Sequence, residues 1–299
     1  MPDVTIENPI LNTPFAEPSR HFRFSDEGIT NDVVDSRRIS SYFVPIAKPK
    51  KKGKQLAFDT QWTQDRIQEN DFINRVRRRV SLWRKGNYEG ITKTTRRLLE
   101  YWTDAQREKK LFFCQIEALE TVIYLSEVAN KYGDSWIENS MREFNGDANP
   151  ELYRIALKMA TGSGKTVVMA MLIAWHVLNK QANPQDARFS DAFLIVTPGI
   201  TIRDRLRVLL PNDPNNYYRQ RDILSVDRME GLGKAKIIIT NFHAFKPREL
   251  VNAGKLTKSI LTRGQNNSFT ETPDQMARRV CRELGNKKNI VVINDEAHH

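Results

Sequence analysis

The stretch MATGSGKTVVMAMLIAWHVLN, residues 159–179, decides the fold of this chain. Its first part is glycine-rich, with Gly162 and Gly164 one residue apart, and its second part is an almost continuous apolar run typical of a buried helix. The residues before it, 154–159, form a short apolar segment that predicts a β-strand. A strand, a glycine-rich turn and a helix in this order are the context of a phosphate-binding loop.

The residue types in this loop fit the chemistry of a bound triphosphate. The glycines let the backbone curl so that its amides point toward a phosphate, and the helix that follows adds its positive end. In such a loop we expect Lys165 to contact the β- and γ-phosphates and Thr166 to ligate Mg²⁺. Met159 stands where the general pattern has its first glycine. The predicted nucleotide-binding residues are Thr161, Gly162, Ser163, Gly164, Lys165 and Thr166.

A second motif follows an apolar segment close to residue 295. Residues 289–294 (NIVVIN) predict a buried strand, and Asp295 and Glu296 come directly after it in the sequence DEAHH. A carboxylate at the carboxyl end of such a strand lies at the mouth of the sheet, where open α/β folds bind ligands. We therefore expect Asp295 to hold Mg²⁺ through water and Glu296 to orient and deprotonate an attacking water. Lys165 and Glu296 are the predicted catalytic residues.

Taken together, MATGSGKT and DEAHH resemble the superfamily 2 helicase-type motors of restriction enzymes, and in particular the Res subunit of type III restriction endonucleases. Met159 is common in that group. The similarity extends to residues 7–24 (ENPILNTPFAEPSRHFRF), a segment without a residue to which chemistry can be assigned. The resemblance implies a RecA-like fold, ATP and Mg²⁺ at the loop, translocation on double-stranded DNA, and a nuclease in a separate C-terminal part.

The resemblance also implies three further sites. Phe113-Cys114-Gln115 is similar to the adenine-sensing Q motif, where Gln115 would offer a donor and an acceptor to the adenine edge. It is farther from the phosphate loop than usual, and an ordinary buried glutamine is the alternative. Residues 197–199 (TPG) and 240–243 (TNFH) occupy the places of motifs Ia and Ib, whose loops hold nucleic-acid phosphates. A plain turn is the alternative for each loop.

Apolar strands alternate with helices after residue 150, which favours a parallel sheet covered by helices on both faces. The predicted strands are residues 154–159, 192–197, 235–240 and 289–294, and the predicted helices are 164–179, 200–210, 241–252 and 272–284. The predicted fold class is therefore α/β, a P-loop NTPase of the RecA-like type that is incomplete at its C-terminal end.

The residues before position 150 predict a mainly helical, basic module. Helical periodicity or composition favours helices at 64–85, 94–102 and 106–131, and residues 40–46 predict a short edge strand. The expected domains are an irregular N-terminal segment with a basic linker (1–60), a helical basic module with the Q-like motif (61–149), and the ATP-binding domain (150–299).

The charge distribution favours a polyanionic partner. The formal net charge is +11, and residues 48–110 alone carry 18 Lys and Arg against 8 Asp and Glu. Part of this excess falls on one helix face around Arg75, Arg78, Arg79 and Lys85. Such a face can track a phosphate backbone, or its arginines can pair with acidic residues of the motor.

The cysteines, the N-terminus and the longest apolar stretch exclude several classes of protein. Cys114 and Cys281 are too few and too far apart for a disulfide framework or a zinc site. The N-terminus has no secretory signal, and the longest apolar stretch, residues 167–178, is too short to span a bilayer. We therefore expect a cytoplasmic protein that has no membrane partner.

The sequence thus predicts ATP binding and DNA-dependent ATP hydrolysis in the motor of a type III-like restriction endonuclease. Double-stranded DNA and a modification methyltransferase subunit are the expected partners. The second motor lobe with its arginine finger and a nuclease motif match no part of residues 1–299, so we expect a fragment that is inactive by itself. The alternatives are an RNA helicase, since the motifs do not distinguish DNA from RNA, and a module that binds nucleotide and DNA without turnover.

Overall fold

The computed structural model describes residues 8–25, 28–43, 67–150, 152–248 and 270–295. Internal contacts divide the chain into two compact units. The first unit comprises the described residues up to Thr92 together with Leu99–Ser163, and the second comprises Lys93–Leu98 together with the described residues from Gly164 onward.

The first unit combines two antiparallel strand pairs with helices. Its strands are β1 (His21–Ser25), β2 (Gly28–Val34), β3 (Ser41–Phe43) and β4 (Ile67–Glu69), with β1 paired to β2 and β3 to β4. Its helices are α1 (Asp71–Lys85), α3 (Phe113–Ile123) and α4 (Ser135–Ala148), while α2 (Lys93–Thr103) contributes residues to both units. The β1–β2 hairpin lies in a segment that the sequence had led us to expect as irregular.

Helix α1 begins later than its apolar periodicity predicted. The helix expected from residue 64 starts at Asp71, because Ile67–Glu69 is a strand paired with β3. The side chain of Asn70 caps the helix by accepting a hydrogen bond from the amide of Ile73 at 3.3 Å. The predicted apolar face is confirmed, since Val76, Val80 and Trp83 are buried.

The predicted helix at 106–131 is shorter and less regular than expected. Its α-helical part, α3, begins only at Phe113, and it continues as a π-helical turn over Tyr124–Val128 and a 3₁₀ turn over Ala129–Tyr132. Helix α4 follows within residues 131–150, for which the sequence predicted no element. Its sequence, SWIENSMREFNGDA, has few apolar residues, which explains why periodicity did not reveal it.

A buried carboxylate connects α1 to α3. The side chain of Glu120 is fully buried and accepts hydrogen bonds from the Arg84 guanidinium at 2.6 Å and from the Tyr88 hydroxyl at 2.6 Å. Removing one partner of such a buried ion pair costs about 3–5 kcal/mol, because the remaining charge loses its compensation. The pair therefore fixes α3 relative to α1.

The second unit contains the predicted parallel sheet. Its elements are α5 (Lys165–Ala182), β5 (Ala192–Thr197), α6 (Ile200–Arg205), α7 (Tyr217–Gln220), α8 (Val226–Leu232), β6 (Lys236–Asn241), α9 (Pro273–Val280) and β7 (Val291–Asn294). The strand order is β6-β5-β7, and both neighbours run parallel to β5. Strand β5 is the centre of the sheet, and its apolar run is almost entirely buried.

The strand predicted at 154–159 is absent, which corrects one expectation. These residues form no ladder with any described strand, and the side chain of Ile155 is exposed. An apolar run predicts only that a strand is possible, because the backbone also needs a partner for its hydrogen bonds. The helix expected at 200–210 is reduced to α6 followed by a 3₁₀ turn over Leu206–Leu209. The helix expected at 241–252 is reduced to a 3₁₀ turn at Phe242–Phe245, and its residues 249–252 lie outside the described part.

Helix α5 is buried on almost every side, as its sequence predicted. The Thr95 hydroxyl accepts hydrogen bonds from the Trp175 indole at 2.9 Å and from the Asn179 side-chain amide at 3.0 Å. These polar groups are themselves buried, so the contacts offset desolvation that would otherwise destabilise the unit. They explain why Lys93–Leu98 belongs to the second unit although it lies about 70 residues before α5.

His176 on α5 is buried among aromatic rings. Its ring packs against Phe189 and Phe193, and in the described part of the chain its Nδ1 has no hydrogen-bond partner. Burial lowers the pKa of His176 from 6.5 to about 4, because the charged imidazolium is poorly solvated there.

We expect acid to destabilise the protein through His176. The unfolded chain binds the proton more tightly, so the free energy of unfolding should be largest above pH 6.5. It should fall by up to about 3 kcal/mol as the pH drops toward 4. Urea unfolding at several pH values should show a clearly smaller slope in His176→Leu than in the unchanged protein, because lowered carboxyl pKa values such as that of Asp134 contribute the remainder. The exposed His243→Leu serves as the control, and identical slopes in all three proteins would contradict the expectation.

Candidate nucleotide-binding site

The predicted phosphate loop adopts the backbone conformation that its glycines permit. Gly162 has φ of 80° and Gly164 has φ of 85°, both in the left-handed region that other residues rarely adopt. Between them, the amide and the hydroxyl of Ser163 both donate to the carbonyl of Ala160, at 3.3 and 2.6 Å. The loop is thus a closed turn that leads directly into α5.

The residues predicted to hold phosphate and metal lie in the first turn of that helix. Lys165 and Thr166 are the first two residues of α5, and Gly164 is its N-cap. The first amides of a helix have no acceptor within the helix and carry its positive end. Lys165 and Thr166 are both half-buried, whereas Thr161 and Gly162 are exposed. A half-buried cation and a hydroxyl next to these amides form a setting that suits a triphosphate and a divalent ion.

Gln115 contacts the phosphate loop itself. Its side-chain amide donates from Nε2 to the carbonyl of Ser163 at 2.9 Å, and its Oε1 accepts from the backbone amide of Phe112 at 2.9 Å. The residue is 5% exposed. A glutamine amide has two donor and two acceptor positions, so these bonds leave one of each for another group. The contact brings together the Q-like motif and the phosphate loop, whose contacting residues are 48 positions apart in the sequence.

The carboxyl ends of the three parallel strands meet at one edge of the sheet. Thr197 ends β5, and its buried hydroxyl donates to the carbonyl of Gly199 at 3.0 Å. Asn241 ends β6, and its side chain accepts from the amide of Ala244, which caps the following turn. Asp295 follows β7, where its amide donates to the carbonyl of Val196 at 3.0 Å. The structure therefore brings the predicted motif Ia, motif Ib and Asp295 to the same edge of the sheet.

Glu296, the predicted general base, lies outside the described residues. Its neighbour Asp295 is half-buried at the end of β7. No cluster of three or more His, Cys, Asp and Glu side chains within the described ranges could hold a metal by itself. A Mg²⁺ ion on a nucleotide needs only one or two protein ligands, because phosphates and water supply the rest. Thr166 and Asp295 are residues of the right type for that purpose.

A family model described as Type III restriction enzyme, res subunit, matches residues 108–299, which is more than half of the chain. The chain belongs to this family. No curated protein and no solved structure matches it.

The type III Res family consists of helicase-like ATP-dependent motors with a P-loop, and its members generally use ATP and Mg²⁺. The matched residues include the phosphate loop, Gln115 and the whole parallel sheet. They exclude residues 8–25 and helix α1. None of the helices that the structure describes has the length and apolarity needed to cross a bilayer.

The basic face of α1 has partners within its own unit in this Res family member. Arg79 forms an ion pair with Asp134 at 2.6 Å, and the guanidinium of Arg75 lies 3.9 Å from the ring centre of Trp136. Burial alone would raise the pKa of Asp134, but hydrogen bonds from Tyr124, Arg79 and Trp136 outweigh it and lower that pKa. These contacts favour a role in packing, and they make Arg75 and Arg79 weaker candidates for a nucleic-acid path.

One contact at the start of α3, close to Gln115, was not foreseen from the sequence. The N-terminal residues 8–20 contact the start of α3, where the amide of Phe113 donates to the carbonyl of Pro14 at 2.8 Å. No local motif announces this contact, because it joins residues about 100 positions apart. The resemblance of residues 7–24 to restriction motors was the one signal that could have pointed to it.

The loop geometry predicts opposite effects for two glycine-to-alanine changes. A Cβ at Gly162 or at Gly146 of α4 would meet no atom within 4 Å, so only the backbone conformation distinguishes the two sites. Gly162→Ala should cost about 1–2 kcal/mol, because its φ is left-handed. Gly146→Ala should stabilise the helix by roughly 0.5–1 kcal/mol. Urea unfolding and titration with Mg²⁺-ATP check this, and a Gly162→Ala protein that is as stable and binds as well as Gly146→Ala would disprove the assigned loop conformation.

Proposed function

We propose that this chain is the ATP-binding part of a DNA-translocating motor in a type III-like restriction endonuclease, with a RecA-like fold. The observation that carries the proposal is the left-handed glycine turn that places Lys165 and Thr166 in the first turn of α5. Membership in the Res family supports the motor class. The parallel sheet supports the fold, since its strand ends gather the other predicted motifs at one edge.

Each residue of the loop has a proposed task. Lys165 would bind the β- and γ-phosphates as a point charge, and the amides at the start of α5 would bind the phosphate oxygens. Thr166 and Asp295 would hold Mg²⁺, which neutralises phosphate charge when it is bound. Glu296 would orient the attacking water and accept its proton. Gln115 would offer its remaining donor and acceptor to the adenine edge.

Double-stranded DNA is the proposed track, and the sheet edge is the part of the chain that we expect to contact it. The turn after β6 is held by Arg279 of α9, which donates to the carbonyls of Ala244 at 3.0 Å and Lys246 at 3.3 Å and pairs with Glu271. Phe242 in that turn is half exposed. A fixed loop with an exposed ring and backbone amides suits nucleic acid. A modification methyltransferase subunit remains a proposed partner.

Two other functions would give different results in simple assays. An RNA helicase would show ATPase activity that RNA stimulates more than duplex DNA does. A module that only binds nucleotide and DNA would show affinity for both without turnover. The complete protein, including any sequence encoded downstream of residue 299, is the material for these assays.

Replacement of the loop lysine tests nucleotide binding. Lys165→Ala should weaken binding of a Mg²⁺-ATP analogue by roughly tenfold to a hundredfold, the scale of a lost hydrogen bond to a charged group. The control is Lys158→Ala, which removes an exposed lysine of the same charge seven residues before Lys165. Equal affinities for Lys165→Ala and the control would remove the phosphate-loop assignment.

Replacement of the carboxylate tests hydrolysis. In the complete protein with duplex DNA, Glu296→Gln should retain ATP affinity and lower turnover by about a hundredfold or more, because a general base is lost. Asp295→Asn should instead raise the Mg²⁺ concentration needed for activity. Normal turnover by Glu296→Gln would mean that the DEAH sequence has no catalytic role here.

A further inference from the structure

The turn that follows β6 has an anchored end and an exposed end. It is a four-residue 3₁₀ turn, and its last residue, Phe245, packs against the buried cluster that includes Leu194 and Leu284. Its first two residues, Phe242 and His243, are exposed, and their ring centres lie 4.0 Å apart. The turn therefore presents two adjoining rings at the carboxyl edge of the sheet while its other end is fixed in the core.

Hydrogen bonds within the turn give it limited support. The side chain of Asn241 accepts from the amide of Ala244 at 3.1 Å, and the amide of Lys246 donates to the carbonyl of His243 at 3.1 Å. A 3₁₀ turn has poorer hydrogen-bond geometry than an α-helix and is rarely long. The orientation of the exposed rings therefore depends on contacts from outside the turn.

Arg279 of α9 supplies such contacts. Its Nη1 donates to the carbonyl of Ala244 at 3.0 Å, and its Nη2 donates to the carbonyl of Lys246 at 3.3 Å. These two carbonyls lie on either side of Phe245, the anchored residue. A guanidinium is planar and its donors have a fixed geometry, so bonds to two different residues set the orientation of the turn as well as its distance from α9.

Glu271 holds this guanidinium in place. The Nε and Nη2 atoms of Arg279 donate to its carboxylate, each at 2.8 Å. The Glu271 side chain is 7% exposed, and it also accepts from the amide of Arg248 at 3.3 Å. The Glu271 amide in turn donates to the carbonyl of Arg248 at 2.9 Å. Because bidentate pairs between arginine and a carboxylate are strong and directional, this pair ties the residues after the turn to the segment that leads into α9.

The neighbouring Arg278 shows that this arrangement belongs to position 279. Arg278 is exposed, and its side chain has no ion pair or hydrogen bond within the residues that the structure describes. The charge of Arg279, in contrast, is neutralised by a nearly buried carboxylate, and its remaining donors are used on protein carbonyls. Its contribution is therefore to the shape of the turn rather than to attraction of an anion. All of these residues belong to the second unit.

We propose that Arg279, oriented by Glu271, is a positioning residue for nucleic-acid binding, because it fixes the turn after β6 so that the exposed rings and amides of the turn are preorganised for duplex DNA. A preorganised loop loses little conformational entropy on binding, so affinity gained in this way needs no contact between Arg279 and DNA. The inference rests on the proposed function, in which the sheet edge contacts DNA. It adds a pair of residues that act on the affinity through the turn.

Neutralisation of each member of the pair tests the inference. Arg279→Gln and Glu271→Gln are made in the complete protein, and binding of duplex DNA is measured by fluorescence anisotropy with a non-hydrolysable Mg²⁺-ATP analogue present. Both changes should weaken DNA binding by roughly fivefold to tenfold, the scale of one net hydrogen bond. For Glu271→Gln, simple electrostatics predicts the opposite sign, because removal of a negative charge near DNA should tighten binding. The affinity for the ATP analogue should not change in either variant.

Two neighbouring residues of α9 provide matched controls. Arg278→Gln removes an exposed arginine, and Asp274→Asn removes an exposed carboxylate from the first turn of the helix. Each control should keep the DNA affinity within about twofold of the unchanged protein, since exposed charges are screened by salt. Thermal unfolding verifies that every variant is folded. If Arg279→Gln does not fold, Glu271→Gln carries the test, because it keeps the size and shape of the side chain.

The outcomes separate this inference from the proposed function. If the unchanged complete protein does not bind duplex DNA, the proposed function fails and the inference fails with it. If it binds DNA but Glu271→Gln binds as tightly as Asp274→Asn or more tightly, the positioning role is overturned while DNA binding stands. A parallel loss of affinity for DNA and for the ATP analogue would also overturn it, because the pair would then support the fold as a whole rather than the turn.

Discussion

The position of strand β5 constrains most of the second unit. A central strand must satisfy its backbone on both sides, and β5 does so in parallel register with β6 from Ala192 to Thr197 and with β7 from Phe193 to Val196. Parallel strands end at the same edge, so the sheet itself brings the loops after all three strands together. The chemistry of that edge then depends on the residues each strand carries at its end.

The candidate nucleotide site depends on contacts of two kinds, some local in sequence and some tertiary. The glycine turn and the first residues of α5 are local in sequence, so their geometry follows from conformational preference. Gln115 reaches the loop, and residues 8–20 reach the start of α3, only through tertiary contacts. The buried Arg84–Glu120 pair joins α3 to α1. The shape of the glycine turn is therefore set locally, whereas the contact of Gln115 with Ser163 relies on the fold of the first unit.

This difference explains how much the sequence could predict. The parallel sheet, helix α5 and the loop glycines were predicted correctly, because apolar runs and glycine spacing are local signals. The strand expected at 154–159 was wrong, since this apolar run has no pairing partner among the strands that the structure describes. The β1–β2 hairpin and α4 were missed, because neither has a strong local pattern. The family is confirmed by the match over residues 108–299, while the roles of Lys165, Glu296 and Gln115 stay predictions.

The hydrogen bonds of Thr95 show that the region matched by the family model and a folding unit need not coincide. The family match begins at residue 108, yet Trp175 and Asn179 of α5 both donate to a hydroxyl that lies 13 residues before that boundary. A recombinant chain trimmed to the matched region would lose this acceptor from the centre of its sheet-bearing unit, along with the Pro14 carbonyl at the start of α3. Such a chain would retain every recognisable motif and still be expected to be poorly soluble and readily degraded by proteases.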